Sequence, residues 1–399
     1  MANRGDHVTS FSEQPDNRAR VAGPTRPADD RNDVGNGGDD TDTVAFVALS
    51  LLPVWAYRGV GERLRAGQTA FSVLDDLLAT LPPRSGGRPR SRPELTSRAH
   101  AALTRGTARG LTPIVWNDPT DPSALSAIID PPPALWMRGS PAAFDRPAVA
   151  IVGSRAASSY ALDVADRLAA DLAGHGVTIV SGLARGVDSA AHRGAVSVGG
   201  LTIAVLGCGA DVIYPREHAD LADEIAAAGL ILSELAPGTR PLPQFFPQRN
   251  RIISGLSRAI VVVEAGDRSG ALITARCALE QGRDVLAVPG NVLSGRNRGG
   301  HGLLRDGAKI VETADDILEE LSMSGGGSLG SAGSTTGSTP PIDPVIACLA
   351  PGEACDLDGI SERSGLSPAR LLPRLLELEL GGRLRRVGAG KFMRFDRSC

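Results

Sequence analysis

The chain has 399 residues and a formal net charge of −3, from 42 Lys and Arg against 45 Asp and Glu. That length suits two or three domains with a sizeable core, and the near-neutral balance excludes a globally basic surface, so any polyanion site has to be a local patch. Lysine occurs only at Lys309, followed by Ile310, and at Lys391, followed by Phe392, so the G-x-x-x-x-G-K-[ST] phosphate loop of an ATPase cannot be built. Arginine supplies every other cation.

Residues 1–42 are rich in Asp, Asn, Gly and Pro with Phe11 as the one aromatic, which predicts a disordered tail. Residues 43–110 carry short helical patterns at Val44–Leu52, Ser72–Leu81 and Thr96–Thr107, broken by Gly and Pro, with a flexible interruption at Pro82–Pro93. They predict a small helical domain. From about Thr112 strand-like and helical runs alternate. Ala148–Val152 precedes Tyr160–Ala173, Val177–Val180 precedes Val187–Val198, and Leu201–Leu206 precedes Arg216–Ala228. Leu230–Leu232 leads through a long loop to Asn250–Ser257, Ile260–Glu264 precedes Ala271–Gln281, and Asp284–Val288 is followed by Lys309–Val311. Near-continuous apolar strands alternating with helices predict an α/β class, a Rossmann-like doubly wound parallel sheet covered on both faces, over 111–321.

A Gly/Ser/Thr linker is expected at 322–341 and a C-terminal winged-helix unit at 342–396. In that unit Asp358–Ser364, a Gly365 turn, Ser367 as N-cap and Pro368 at the first helical position give a helix–turn–helix signal. Pro373, interior to the longer helix, is expected to kink it at a cost of about 3 kcal/mol. Arg383–Arg386 and Lys391–Arg394 around Val387-Gly388-Ala389-Gly390 predict a basic hairpin.

The five cysteines, Cys208, Cys277, Cys348, Cys355 and Cys399, form no C-x-x-C pair, and the six histidines form no H-E-x-x-H. Neither a metal site nor a disulfide framework is therefore expected, and no cofactor. The longest apolar stretch, Ala45 to Tyr57, contains Ser50 and Pro53 and is too short to span a bilayer. The N-terminus is polar and acidic, without a signal region. These features predict a cytoplasmic protein that does not use a membrane.

Open parallel sheets bind ligands outside the carboxyl ends of their strands. The junctions there read Gly153-Ser154-Arg155, Ser181-Gly182-Leu183-Ala184-Arg185-Gly186-Val187-Asp188, Gly207-Cys208-Gly209-Ala210-Asp211, Ser233-Glu234, Gly266-Asp267-Arg268-Ser269-Gly270 and Pro289-Gly290-Asn291. Glycines allow close backbone approach, and helix N-termini attract anions. Arg155, Arg185, Arg249, Arg251 and Arg268 all fall on this edge. The run Gln244-Phe245-Phe246-Pro247-Gln248-Arg249-Asn250-Arg251 adds two aromatics, suiting a strand that offers both bases and phosphates. Gly207-x-Gly209 starts like a dinucleotide fingerprint, but Val212 stands where a third glycine is needed. Asp188 and Asp211 suit helix caps as well as ligand groups, and His192 suits a packed position. Glu234 and Glu264 suit a carboxylate pair or a buried pair with an arginine. Arg249 and Arg251, two apart at a helix start, cannot face the same way. The expectation is that Arg249 reaches the ligand and Arg251 pairs with Glu234 or Glu264.

These junctions, taken in order, resemble the DprA (Smf) family of DNA-processing proteins. The resemblance rests on Ile151–Arg155, Ser181–His192, Tyr214-Pro215, Ser233-Glu234, Pro237-Gly238, Phe246–Ser257, Val262–Ala265, Ser269–Ala275 and Ala287–Gly290. It runs from about Thr112 to Leu318 and less strictly through the last residues. It departs from the usual pattern at Ala271 and at Gly300-His301-Gly302-Leu303-Leu304. In the N-terminal part, Tyr57-Arg58-Gly59-Val60-Gly61 is the nearest approach to a P-G-[IV]-G hairpin. The resemblance implies a homodimeric, non-enzymatic mediator that binds single-stranded DNA in a basic pocket and hands it to the recombinase RecA. The expected DNA-binding residues are Gly153, Ser154, Arg155, Ser181, Gly182, Arg185, Gly186, Phe245, Phe246, Arg249, Asn250, Arg251, Ser269, Gly270 and Thr274. Two rivals remain: a nucleotide or nucleoside-phosphate hydrolase of a related Rossmann-like group, whose P-G-G-x-G-T-x-x-E motif this sequence lacks, and a winged-helix regulator of duplex DNA.

Overall fold

The computed structural model describes residues 37–82, 90–116, 118–324, 344–349, 354–364, 366, 371, 374–375, 378–379, 384–387 and 391–394. Most of the expected acidic tail and of the linker, with Gly365, Ser367, Pro368 and the Pro373 kink, lies outside them, while 322–324, expected as the start of the linker, end a helix. Four helices come first: α1 (Gly37–Ser50), α2 (Val60–Arg65), α3 (Ala70–Thr80) and α4 (Arg92–Ala108). The Thr69 hydroxyl caps α3 by accepting from Ser72 N.

The α/β part then runs β1 (Thr112–Val115), α5 (Ser123–Ser126), β2 (Ala134–Gly139), β3 (Ala148–Val152), α6 (Ser159–Gly174), β4 (Thr178–Ser181), α7 (Val187–Ser197), β5 (Thr202–Val205), α8 (Ala219–Ala228), β6 (Leu230–Ser233), α9 (Phe245–Leu256), β7 (Ala259–Val262), α10 (Gly270–Glu280), β8 (Asp284–Ala287), α11 (Arg298–Arg305), β9 (Lys309–Ile310) and α12 (Ala314–Ser324). The C-terminal unit contributes α13 (Pro344–Ala347), β10 (Ala354–Cys355), α14 (Leu357–Ser364), β11 (Leu384–Val387) and β12 (Lys391–Arg394).

The large sheet has the order β1-β2-β6-β5-β4-β3-β7-β8-β9. From β6 to β9 neighbouring strands are parallel. The edge pair β1 and β2 runs antiparallel, an addition that the sequence reading lacked. The chain steps outward from β3 through β4, β5 and β6, then returns to the other side of β3 with β7. That reversal opens a crevice between the ends of β3 and β7, where such sheets bind ligands.

Alternate strand residues serve opposite faces. Ala150, Val152, Ile203, Val205, Ile260 and Val262 pack with α5, α9 and α10. Val149, Ile151, Ile179, Ala259 and Val261 pack with α6, α7 and α12. On that second face, further along the sheet, Ala204, Leu206 and Ile231 share one cluster with Val47, Leu74 and Leu95 of the N-terminal helices. The helical segment therefore packs directly on the sheet. In the C-terminal unit β12 pairs antiparallel with both β10 and β11, and Val345, Ile360, Leu375 and Phe392 form a separate small core.

Helix α4 meets the sheet at Gly106, where an added Cβ would stand 2.5 Å from Cζ3 of the fully buried Trp136. Gly106→Ala gains up to about 1 kcal/mol of helix propensity, but overpacking costs about 1–3 kcal/mol. A fall in the urea midpoint is expected; an unchanged or raised midpoint would show that α4 is free to shift.

Candidate nucleic-acid interface

Helix α9 dominates the crevice. It starts at Phe245, earlier than the expected Asn250, because Pro247 sits in the first turn where its missing N–H is not needed. The early start fixes which side chains share a face. Phe246, Arg249, Asn250 and Ile253, at i, i+3, i+4 and i+7, line one cavity of about 750 Å³. Phe245 is half-buried and not among the lining residues.

The opposite walls come from the loops after β3 and β7. Gly153, Ser154 and Arg155 line the cavity from one, and Gly266, Arg268, Ser269 and Gly270 from the other, with Thr274 one turn into α10. Ser154 N donates to the Glu264 carbonyl at 2.7 Å, tying the two loops together. The Glu264 carboxylate accepts from Ser158 N at 3.1 Å and from Ser158 Oγ at 2.6 Å at the start of α6. Glu264 is thus a helix-entry anchor. Ser269 caps α10 by accepting from Ala271 N at 3.3 Å.

At the mouth, the exposed Arg155 places its guanidinium carbon 5.2 Å from the centre of the Phe246 ring, within cation–π range. The Tyr214 ring centre lies 5.6 Å from that of Phe246. Arg268 is likewise exposed at the rim. Aromatic face and guanidinium groups are therefore presented together.

The floor is different. Arg249 is buried, and its Nη1 donates to the Gly182 carbonyl at 2.8 Å and to the Val205 carbonyl. Burial lowers its pKa to about 10 from the ordinary 12.5, opposed by Asp188. Asp188, buried beside it, is pushed upward by desolvation and held back by Arg249. Arg249 was expected to reach the ligand; it lines the cavity, from the floor and not from the mouth. Its charge is spent on strand-end carbonyls and on Asp188, while Arg155 occupies the mouth. Gly182 is glycine for the same reason, since a Cβ there would collide with the Arg249 guanidinium.

Arg251 points to the other side of α9. Its Nη2 bonds Glu234 Oε2 at 2.5 Å, and its Nε lies 3.3 Å from Asp130 Oδ2. Burial raises both carboxyls, and Arg251 opposes it in each. The pairing falls to Glu234, one of the two partners expected. Arg185 extends outward and pairs with Glu217 instead of lining the cavity. Ser181 is fully buried, with Oγ donating to the Ile151 carbonyl at 2.6 Å. Gly186, at φ +79°, leaves no room for a Cβ against the Ser154 carbonyl. Ser181, Gly182, Arg185, Gly186, Phe245 and Arg251 thus stand around or behind the cavity. Tyr214, Pro243 and Ile253 line it without having been singled out as site residues; their signal was the α9 face for Ile253 and, for Tyr214, proximity that only the fold creates.

Residues 112–322 match the family model described as DNA recombination-mediator protein A, and residues 331–390 match the DprA winged helix domain. The chain belongs to the DprA/Smf family of DNA-processing proteins. It is 42% identical to protein Smf of Escherichia coli over 70% of this chain and 76% of that one. It is 46% identical to DNA processing protein DprA of Streptococcus pneumoniae over 50% of this chain and 71% of that one. The crystal structure of the S. pneumoniae DprA superposes with a TM-score of 0.57 at 37% identity, covering 70% of this chain and 94% of that one. Among the described residues no helix is long and apolar enough to cross a membrane.

Two expectations follow for this DprA/Smf chain. Arg251→Met leaves Glu234 charged, buried and unpaired, which typically costs about 3–5 kcal/mol. Adding Glu234→Gln is expected to restore much of the loss, and urea unfolding of the three proteins checks it. No recovery in the double variant would show that the pair is not the source.

The second concerns His192, fully buried on α7 with Nδ1 2.7 Å from Thr202 Oγ1. That hydroxyl donates to the Ile179 carbonyl, so it accepts from Nδ1–H. Burial lowers the His192 pKa from 6.5 to about 3, and Arg249 adds to it. Below its ordinary pKa the unfolded chain takes up a proton that the folded chain refuses. Stability therefore falls from this group as pH drops from 6.5 toward 3. His192→Gln is expected to lose less of its urea midpoint than wild type between about pH 7 and about pH 5; equal losses would exclude His192 as a contributor.

Proposed function

We propose that this protein binds single-stranded DNA without regard to sequence and acts as a recombination mediator that loads RecA on the strand during DNA uptake and natural transformation. The observation that carries the reading is the pairing of Arg155 with the Phe246 ring at the mouth of the crevice, with Arg268 on the facing loop. Phosphates are drawn by the two exposed guanidinium groups. A base is drawn by the aromatic face, where stacking contributes about 1–3 kcal/mol. A crevice of about 750 Å³ has room for a nucleotide, whereas a duplex keeps its bases stacked inside and away from Phe246.

The same reading makes the protein a cytoplasmic binder and not an enzyme. The family model's description as a recombination mediator supports a recombinase as the recipient, which the proposal takes to be RecA. A homodimer suits the task, since two linked crevices on one strand raise avidity through effective concentration.

Fluorescence anisotropy with labelled single-stranded and duplex oligonucleotides across a salt series tests the reading. Affinity for single strands is expected to fall with salt by about 0.7 log units per log unit of salt for each phosphate neutralised. Arg155→Ala is expected to weaken binding about tenfold and to flatten that slope. Equal affinity for both DNA forms, or an unaltered Arg155→Ala, would overturn it. RecA filament assembly on the same oligonucleotide, with and without the protein, tests the loading step; no acceleration would restrict the function to DNA binding.

A further inference from the structure

One group of exposed side chains beside the crevice is not used by the pocket. The loop after β8 carries Val292, 76% exposed, and Leu293, 93% exposed. Large aliphatic side chains are rarely left this open on adjacent residues without a contact to make. Arg296 follows on the same loop and Arg298 opens α11, both exposed. Tyr160, on the first turn of α6, is 52% exposed, and its hydroxyl donates to the Pro289 carbonyl at the base of the loop at 3.3 Å.

The loop is tied to the crevice wall. Arg296 Nη1 donates to the carbonyl of Ala156, a cavity-lining residue, at 3.0 Å. The buried Asn297 accepts from Ala265 N at 2.9 Å and donates to the Val288 carbonyl at 2.9 Å, joining the ends of β7 and β8. The Asn291 side chain accepts from Leu293 N at 2.8 Å, fixing the turn that presents the two aliphatics. Sheet order places β8 directly outside β7, so this loop is the next surface met on leaving the crevice on that side.

We propose that Tyr160, Val292 and Leu293, flanked by Arg296 and Arg298, form a ledge that receives the nucleotides continuing out of the crevice. Bases pack on the phenol ring and the aliphatic tip, and the phosphates between them meet the two guanidinium groups. An aromatic, two aliphatics and two arginines within one tethered surface match the alternating apolar and anionic groups of an unpaired strand. The ledge rests on the proposed binding of single-stranded DNA and extends its footprint beyond the pocket.

The test uses the full chain and two single-stranded thymidine oligonucleotides, one of about 6 nucleotides and one of about 20. Tyr160→Ala combined with Leu293→Ser is expected to weaken the longer oligonucleotide about tenfold and to leave the shorter one unchanged. Arg298→Ala is expected to reduce the salt slope by about 0.7 for the longer oligonucleotide alone. Tyr160→Phe, which keeps the ring, is expected to bind the longer oligonucleotide as wild type does. Wild-type binding to both lengths with no length-selective loss in the variants would overturn the ledge and leave the pocket standing. Failure of the wild type to bind either length would overturn the pocket and the ledge together.

Discussion

The buried guanidinium of Arg249 holds this structure's crevice in shape. It donates to the Gly182 carbonyl just after β4 and to the Val205 carbonyl at the end of β5. Two residues on, Arg251 takes the other side of α9 and bonds Glu234 just after β6. One helix therefore clasps the carboxyl ends of three adjacent strands. A chain end in a parallel sheet leaves carbonyls without ladder partners, and unpaired buried carbonyls are costly. Arg249 satisfies two of them and in doing so fixes the rotation of α9. Once that rotation is set, Phe246, Asn250 and Ile253 have to face the crevice, because they lie on the same helical stripe. The need for glycine at 182 follows from the same contact.

The charges sort by depth. At the floor, Arg249 sits with Asp188 and strand-end carbonyls; behind α9, Arg251 sits with Glu234 and Asp130. These charges are matched internally and contribute little field at the surface. At the rim, Arg155 and Arg268 are exposed. A chain with net charge −3 can thus present a cationic mouth without a cationic surface. The arrangement suits a strand whose phosphates stay near the rim while a base turns inward. Glu264 and Asn297 do the complementary work of holding the loops after β3, β7 and β8 at fixed spacing through side-chain bonds to backbone groups.

The parallel sheet was legible because its strands are apolar runs separated by glycine-rich turns, a pattern that burial on both faces imposes. The antiparallel strand β2 was not legible. Ala134–Gly139 follows Pro131-Pro132-Pro133 and includes Arg138, so it lacks both the flanks and the composition of a buried strand, although Trp136 in its centre is fully buried. Of the crevice, Gly153, Ser154, Arg155, Phe246, Arg249, Asn250, Ser269, Gly270 and Thr274 were readable from their place at strand ends and helix starts. The glycines at 182 and 186 were also readable as unusual, as ligand contacts; in the structure each is required by a neighbouring guanidinium or carbonyl. A sequence shows that a backbone must be approached closely. It does not show by what.

The arginines mark the same boundary from the other side. Arg155, Arg185, Arg249 and Arg251 share a residue type and an edge of the sheet, yet only Arg155 combines exposure with contact to the Phe246 ring. Arg185 extends outward to Glu217, and the other two turn inward. Helical spacing separates Arg249 from Arg251, but nothing local shows how deep either lies, because depth is set by the helix rotation that Arg249 itself determines. The inward pair also gives a physical reason for arginine at these two positions. A lysine buried as deeply is readily driven to its neutral form by desolvation, whereas a guanidinium remains charged and can hold several acceptors in one plane. At 249 that permanence secures two carbonyls from different strands, which a single ammonium donor on a flexible stem would bind with less directional control.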